Sequence, residues 1–429
     1  MNNEELKATQ LGTRCVQGGY IPGNTEARTM PIVQSTTYKY DKADDLADVF
    51  DLKDGSFMYT RLGNPSLSWL EEKVALLEGG VAALTTASGQ AATLFSIINI
   101  TRAGQHIIAL SNLYGGTHTL LGSQLPRFGI EVTFVEPDLS LEELKTYVRP
   151  ETRCIFAEVL GNPALEVLDF EKVSALAQFA DVPLIVDNTF PTPMLCQPLK
   201  HGANIVVHSA TKYLDGHATS VGGVIIDGGN FNWDNGKYPE LTTPDHDYHG
   251  LVYTEAFGPA AYIAKARAGL LRDIGATMAP MNAFLINLGI ETLALRMERH
   301  SENAQIVAEY LANHPKVEWV NYPGLENNPS HALAEKYLPN GCSGVVSFGP
   351  KGGAAAAKAV IDNMKLATLV THVGDLRSHM IHPASTTHRQ LSDADLEAAG
   401  VKPNLIRFNV GIENIEDILA DIDQALASI

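Results

Sequence analysis

The chain reads as an α/β protein, a large mostly parallel sheet followed by a smaller α/β unit, on two observations. Short apolar, β-branched runs recur between residues 81 and 226, and helix-length segments separate several of them. Strands that are apolar at consecutive positions are buried on both faces, which requires helices on each side of the sheet. The second observation is that residues able to do chemistry follow these runs. Ligands of open parallel sheets collect beyond the carboxyl ends of the strands, so those ends become a candidate site.

The elements follow in order. Residues 1–60 lack a sustained period of either kind and carry Gly18-Gly19, Pro22-Gly23 and Pro31. This predicts an extended N-terminal arm that reaches another copy of the chain. Tyr59 and Arg61 close the arm, and Asn64-Pro65-Ser66 starts a helix. A hydroxyl and a planar donor fork suit a phosphate or a carboxylate, although a surface turn explains this stretch equally well.

A large domain is expected over residues 61–260. It opens with a strand, Val81–Thr86, a turn at Ser88-Gly89 and a helix from Gln90. A glycine turn feeding a helix aims unpaired backbone N–H groups at one spot, a natural anion site. The spacing is neither G-x-G-x-x-G nor G-x-x-x-x-G-K-[ST], so the dinucleotide and P-loop readings lose their main support. Strands are expected next at His106–Leu110, Glu131–Val135, Cys154–Val159, Val182–Val186, Asn204–Val207 and Gly223–Ile226.

A second domain, residues 261–429, should close over the site. Val317–Asn321, Val345–Phe348 and Ile406–Val410 read as strands, and Ile415–Leu426 as an amphipathic helix. Arg407 interrupts a strand otherwise fit for burial, and a buried guanidinium needs an anionic partner.

Composition narrows the partners. With 429 residues, 45% hydrophobic and 19% charged, the chain can build more than one core and is not a disordered type. A formal net charge of −18 argues against nucleic-acid or anionic-membrane binding, leaving a small molecule as the natural substrate. Cys15, Cys154, Cys196 and Cys342 form no C-x-x-C pair, so reduced thiols of a cytoplasmic protein are the simplest reading. MNNEELKATQ lacks the apolar core of a signal peptide, and polar residues interrupt the most apolar stretch, Val81–Ile100, so no membrane span is expected. His379, His382 and His388 have no acidic or cysteine companions at a recognised spacing, and no metal site is expected.

The strand ends form a coherent set. Tyr114 follows one run, Asn162 another, Asp187 a third, and Ser209, Thr211 and Lys212 a fourth. A lysine at the tip of a buried strand is partly desolvated, which favours the neutral amine that attacks a carbonyl carbon. Alone, such a lysine is more often solvated. In this company it suits an aldehyde cofactor carrying a pyridine ring and a phosphate. Lys212 would form the Schiff base, Asp187 would keep the ring nitrogen protonated and Tyr114 would stack on the ring, while hydroxyls and helix N–H groups would hold the phosphate.

The motifs Y-T-R-x-x-N-P (Tyr59–Pro65), A-S-G-Q-A (Ala87–Ala91), L-Y-G-G-T (Leu113–Thr117), G-N-P (Gly161–Pro163), V-D-N-T-F (Val186–Phe190) and H-S-A-T-K (His208–Lys212) resemble the cystathionine γ-synthase/γ-lyase family. The likeness covers nearly the whole chain. It implies the aspartate-aminotransferase-like fold (fold type I) and pyridoxal 5'-phosphate as cofactor. Within the family, the segment Gly228–Pro259 and the run His382–His388 are most similar to the O-acetylhomoserine sulfhydrylases. That implies γ-replacement on O-acetyl-L-homoserine by sulfide or a thiol, giving L-homocysteine and acetate.

The resemblance assigns Lys212 as Schiff-base lysine and base, Asp187 to the pyridine nitrogen, and Tyr114 to the ring and the substrate. It sets Ser88, Gly89, Gln90, Ser209 and Thr211 around the phosphate, Asn162 near the ring hydroxyl, and Arg407 on the substrate α-carboxylate. Tyr59 and Arg61 would reach the phosphate in a neighbouring subunit, within a homotetramer built from two dimers. Two positions depart from the pattern. Gly116 stands where methionine γ-lyases typically carry a cysteine, which weighs against the lyase; His372 stands where relatives usually have serine or asparagine, which leaves carboxylate binding on that loop open. Cystathionine γ-synthase, methionine γ-lyase and O-succinylhomoserine chemistry share the other motifs. Outside the family, a NAD-dependent oxidoreductase is disfavoured by the missing glycine fingerprint, and a non-catalytic role by the intact Lys212, Asp187 and Arg407.

Overall fold

The computed structural model describes residues 1–387, 389 and 400–429, so His388 lies outside the described residues. Seven strands build the large sheet: β1 (Ala82–Thr86), β2 (His106–Leu110), β3 (Glu131–Val135), β4 (Thr152–Glu158), β5 (Leu184–Asp187), β6 (Ile205–Ser209) and β7 (Gly223–Asp227). Their order is β1-β7-β6-β5-β4-β2-β3. Strands β2 to β6 are mutually parallel, whereas β7 runs antiparallel to both of its neighbours. Two antiparallel steps return β1 to the direction of β6. The carboxyl ends of β1, β2, β4, β5 and β6 therefore share one edge.

Alternate residues of these strands enter two cores, as the period of two requires. Ile155, Ala157, Val186 and Val206 pack with Leu70, Val74 and Leu77 of the Pro65–Glu78 helix and with Leu176 of the Phe170–Ala180 helix. Phe156, Ile185, Ile205 and Val207 pack on the other face with Phe95 of the Gly89–Ile98 helix and with Tyr262. Residues Ala261–Leu271 contribute to this second core, so the stretch just after the expected boundary at 261 packs on the large sheet.

The smaller sheet has β8 (Val317–Asn321), β9 (Val345–Pro350), β10 (Thr368–Leu369), β11 (His379–Ile381) and β12 (Ile406–Asn409) in the order β10-β11-β12-β9-β8. Its pairings are antiparallel except β10 with β11. Those two strands span two and three residues, too short to show a period in sequence. The expected helix Ile415–Leu426 is present.

The first sixty residues contain helices at Asn3–Leu6, Leu11–Gln17 and Ala43–Phe50 where the sequence pattern predicts only an extended arm. Leu11–Gln17 buries just Cys15, whose Sγ lies 3.8 Å from Met194 Sδ. One buried residue makes no periodicity; the helix is held by what it docks against. Among the described residues, no helix is long and apolar enough to cross a membrane, and no group of three or more His, Cys, Asp or Glu side chains is arranged to hold a metal ion.

Candidate active site

A cavity of about 220 Å³ opens at the shared strand edge and is capped by the smaller domain. Ser88, Gly89, Gln90, Tyr114, Asn162, Asp187, Ser209, Thr211, Lys212 and Arg407 all line it, so ten of the sequence-predicted site residues converge on one space. Tyr59 and Arg61 do not. Both are exposed, and the Arg61 guanidinium sits 5.5 Å from the Tyr59 ring centroid, away from this chain's own cavity.

The anion cradle comes from the turn after β1. Ser88 caps the Gly89–Ile98 helix, its hydroxyl accepting the Ala91 N–H at 3.2 Å. The N–H groups of the first helical residues have no intrahelical partner, and the first two of those residues, Gly89 and Gln90, line the cavity. Gly89 is required by close approach: a Cβ there would lie 2.6 Å from Ser209 Cβ. Thr211 is committed elsewhere, its hydroxyl donating to Gly222 O and accepting from Gly222 N, each at 3.1 Å. It walls the cavity without a free donor.

Lys212 sits one turn past β6, its N–H donating to Ser209 O at 3.1 Å. Desolvation by burial, reinforced by the positive Arg407, lowers its amine from the ordinary 10.5 to about 8. Its Nζ is 3.4 Å from His372 Nδ1. Burial and the nearby lysine in turn lower His372 to about 4, which leaves a neutral imidazole beside the amine. The sequence departure at 372 therefore falls beside Lys212.

Arg407 is buried on β12, and among the described residues it forms no ion pair. Its Nη1 donates to Asn162 Oδ1 and its Nη2 to His372 O, both at 3.1 Å. Burial lowers its guanidinium to about 10 from 12.5. A buried cation held, among the described residues, by neutral acceptors retains its demand for an anion. Asn162 is thus engaged by Arg407.

Asp187 ends β5, half-buried, with Oδ1 accepting the Thr189 N–H at 2.8 Å. Burial pushes its carboxyl upward, while the Thr189 donors and His208 pull it back. The register sets Glu158 of β4 directly beside it. Glu158 also lines the cavity and accepts the Tyr114 N–H at 2.8 Å. Sequence reasoning missed this residue. The available signal was the one that exposed Arg407: a charge inside an otherwise apolar strand, Cys154–Val159.

Gly116 acquires a steric reason. A Cβ there would lie 2.5 Å from Tyr114 Cε1 and 2.9 Å from Gln90 Nε2, so its absence lets the Tyr114 ring fold against the turn.

These residues fit pyridoxal phosphate: a helix N-terminus whose Gly89 is pressed against Ser209 for the phosphate, a desolvated amine for the aldehyde, and a half-buried carboxyl group for the ring nitrogen. With the strand order above, they define a pyridoxal-phosphate enzyme of fold type I. Residues 12–427 match the Cys/Met metabolism PLP-dependent enzyme family, and the chain belongs to it. It is 50% identical over 427 residues to the O-acetyl-L-homoserine sulfhydrylase of Leptospira meyeri, the match covering 97% of this chain and 96% of the relative. The O-acetyl-L-homoserine sulfhydrylase of Corynebacterium glutamicum is 45% identical, with 99% of each chain covered. Among solved structures, a Campylobacter jejuni protein bearing N'-pyridoxyl-lysine-5'-monophosphate superposes with a TM-score of 0.94 at 38% identity, covering 98% of this chain and 100% of that one.

Proposed function

We propose that this chain catalyses γ-replacement on O-acetyl-L-homoserine, with sulfide or a small thiol as nucleophile, giving L-homocysteine and acetate. The carrying observation is the identity of 50% across nearly the full length of an O-acetyl-L-homoserine sulfhydrylase, with the lysine, acid and arginine of the reading gathered in one cavity. When bound, pyridoxal 5'-phosphate supplies an aldehyde for amine exchange and a protonated ring that withdraws electrons from the substrate's Cα and Cβ.

In this reading Arg407, already buried and without a carboxylate partner among the described residues, receives the substrate α-carboxylate bidentately and fixes Cα. Asp187 holds the ring-nitrogen proton; the opposite charge favours the carboxylate and reverses the effect of burial. Lys212, neutral once displaced, would take the proton from Cα and deliver it to the cofactor side of the C=N bond, which leaves the amine neutral again to take one from Cβ; the two transfers would run in reverse after sulfide has replaced acetate at Cγ. Its lowered proton affinity suits both directions near neutral pH, and His372 Nδ1 holds the amine toward the cavity between transfers. Ser88, Gly89, Gln90 and Ser209 anchor the phosphate. Tyr114 covers the ring and exchanges a proton near Cγ; Tyr114→Phe with full turnover and an unchanged pH profile would rule out the proton exchange.

We assign the exposed Tyr59 and Arg61 to the cofactor phosphate of a neighbouring subunit, in a cytoplasmic homotetramer formed from two dimers. Sedimentation of the purified protein tests the subunit count. The activity itself is tested by offering acetyl and succinyl esters of homoserine with sulfide, methanethiol or cysteine. Homocysteine from the acetyl ester and sulfide is the expected leading product. A preference for cysteine would redirect the reading to cystathionine γ-synthase, and methionine cleavage without an added nucleophile would redirect it to methionine γ-lyase.

A further inference from the structure

Glu158 and Asp187 end adjacent parallel strands, are paired in register and line the same cavity. Of two carboxyl groups so placed, Glu158 buried and Asp187 half-buried, one is driven toward its neutral form. Their surroundings separate them. Asp187 receives the Thr189 N–H at 2.8 Å, a second contribution from the Thr189 side chain, and the nearby ring of His208 on β6. His208 is itself bonded to Glu78 at 2.6 Å. Glu158 receives one donor, the Tyr114 N–H, and has Asp187 as its charged neighbour. The remaining charged groups of the cavity are engaged elsewhere, Lys212 toward His372, and Arg407 toward Asn162 and the His372 carbonyl. Burial and the adjacent Asp187 push Glu158 well above the usual carboxylate range. Pairs of acids with unequal surroundings divide their roles in this way.

We propose that Glu158 is a positioning residue, held as a neutral carboxylic acid, that leaves Asp187 as the single carboxylate beneath the cofactor ring and pins the Tyr114 backbone at the cavity wall. One negative charge then faces one ring proton. A second carboxylate would bind that proton in competition or repel Asp187. Tyr114 begins the short helix Gly115–Thr119 with no side-chain cap, and its N–H is tied instead to the Glu158 carboxyl group.

The proposal rests on the cofactor reading above, and its test separates the two. Infrared difference spectra of the holoenzyme, wild type minus Glu158→Gln, isolate the carbonyl stretch of a protonated acid. Asp227→Asn serves as control, because burial pushes that carboxyl to about 7 and it adds a band of its own. The expected result is a protonated-acid band at neutral pH that Glu158→Gln removes and Asp227→Asn does not. Glu158→Gln, which keeps shape, neutrality and an acceptor, should hold cofactor affinity and turnover within about threefold. Glu158→Leu strands the Tyr114 N–H and should lower kcat on the order of tenfold with cofactor still bound. No band assignable to Glu158, or a loss of cofactor affinity of about tenfold or more in Glu158→Gln, overturns the proposal. If Glu158→Leu fails to fold, the glutamine variant alone decides. Wild type that binds no cofactor would instead overturn the underlying reading.

Discussion

Capture of the cofactor by the cofactor-free protein should report the state of Lys212 directly. The neutral amine is the attacking form, so the rate of covalent attachment should rise with pH and level off above the value of that amine. Desolvation and Arg407 set that value at about 8 rather than 10.5. At pH 7 such an amine is neutral in about one molecule in ten, against about one in three thousand for an ordinary lysine, roughly a 300-fold gain in nucleophile. The assay mixes protein with pyridoxal phosphate over a pH series, traps the product with borohydride and quantifies the Lys212 peptide by mass. Wild type should show an inflection near 8, and Arg407→Met, which removes the neighbouring positive charge, should move it upward. An inflection near 10 in wild type would mean that water reaches the amine, and the desolvation argument would be refuted.

Three further outcomes follow from the same geometry. Gly89→Ala drives a methyl to 2.6 Å from Ser209 Cβ, and overpacking of about 1–3 kcal/mol should weaken cofactor affinity roughly 5- to 150-fold, while Gly55→Ala, with open space around it, leaves it unchanged in the same titration. Arg407→Leu should raise KM for the amino-acid substrate by about thirtyfold or more, the low end of what losing one partner of a buried charge pair costs, with cofactor absorbance retained. Gly116→Cys forces Tyr114 or Gln90 aside and should lower kcat for replacement relative to γ-elimination, read as homocysteine formed against 2-oxobutanoate released.

Local chemistry made much of this protein legible from its sequence. Strands β2, β4, β5 and β6 carry continuous apolar runs, so their existence, and the helices needed to cover them, follow from the sequence pattern alone. Lys212 and Asp187 stand at strand ends, and a parallel sheet gathers its strand ends at one edge whatever the details of packing. Arg407 was visible as a charge in an apolar strand.

Only the tertiary structure decided the rest, because it depends on which strands become neighbours and on what docks where. Strand order pairs Glu158 with Asp187, two residues 29 positions apart by their numbering, and no local pattern encodes that adjacency. His372 reaches Lys212 from the smaller domain, and Thr211 loses its free donor to Gly222. The Leu11–Gln17 helix exists through its dock rather than its own amphipathic stripe, so sequence periodicity could not announce it. The proton affinity of Lys212 likewise belongs to the assembled cavity: water is excluded there by residues that are distant in sequence, and a single charge, Arg407, arrives from another sheet.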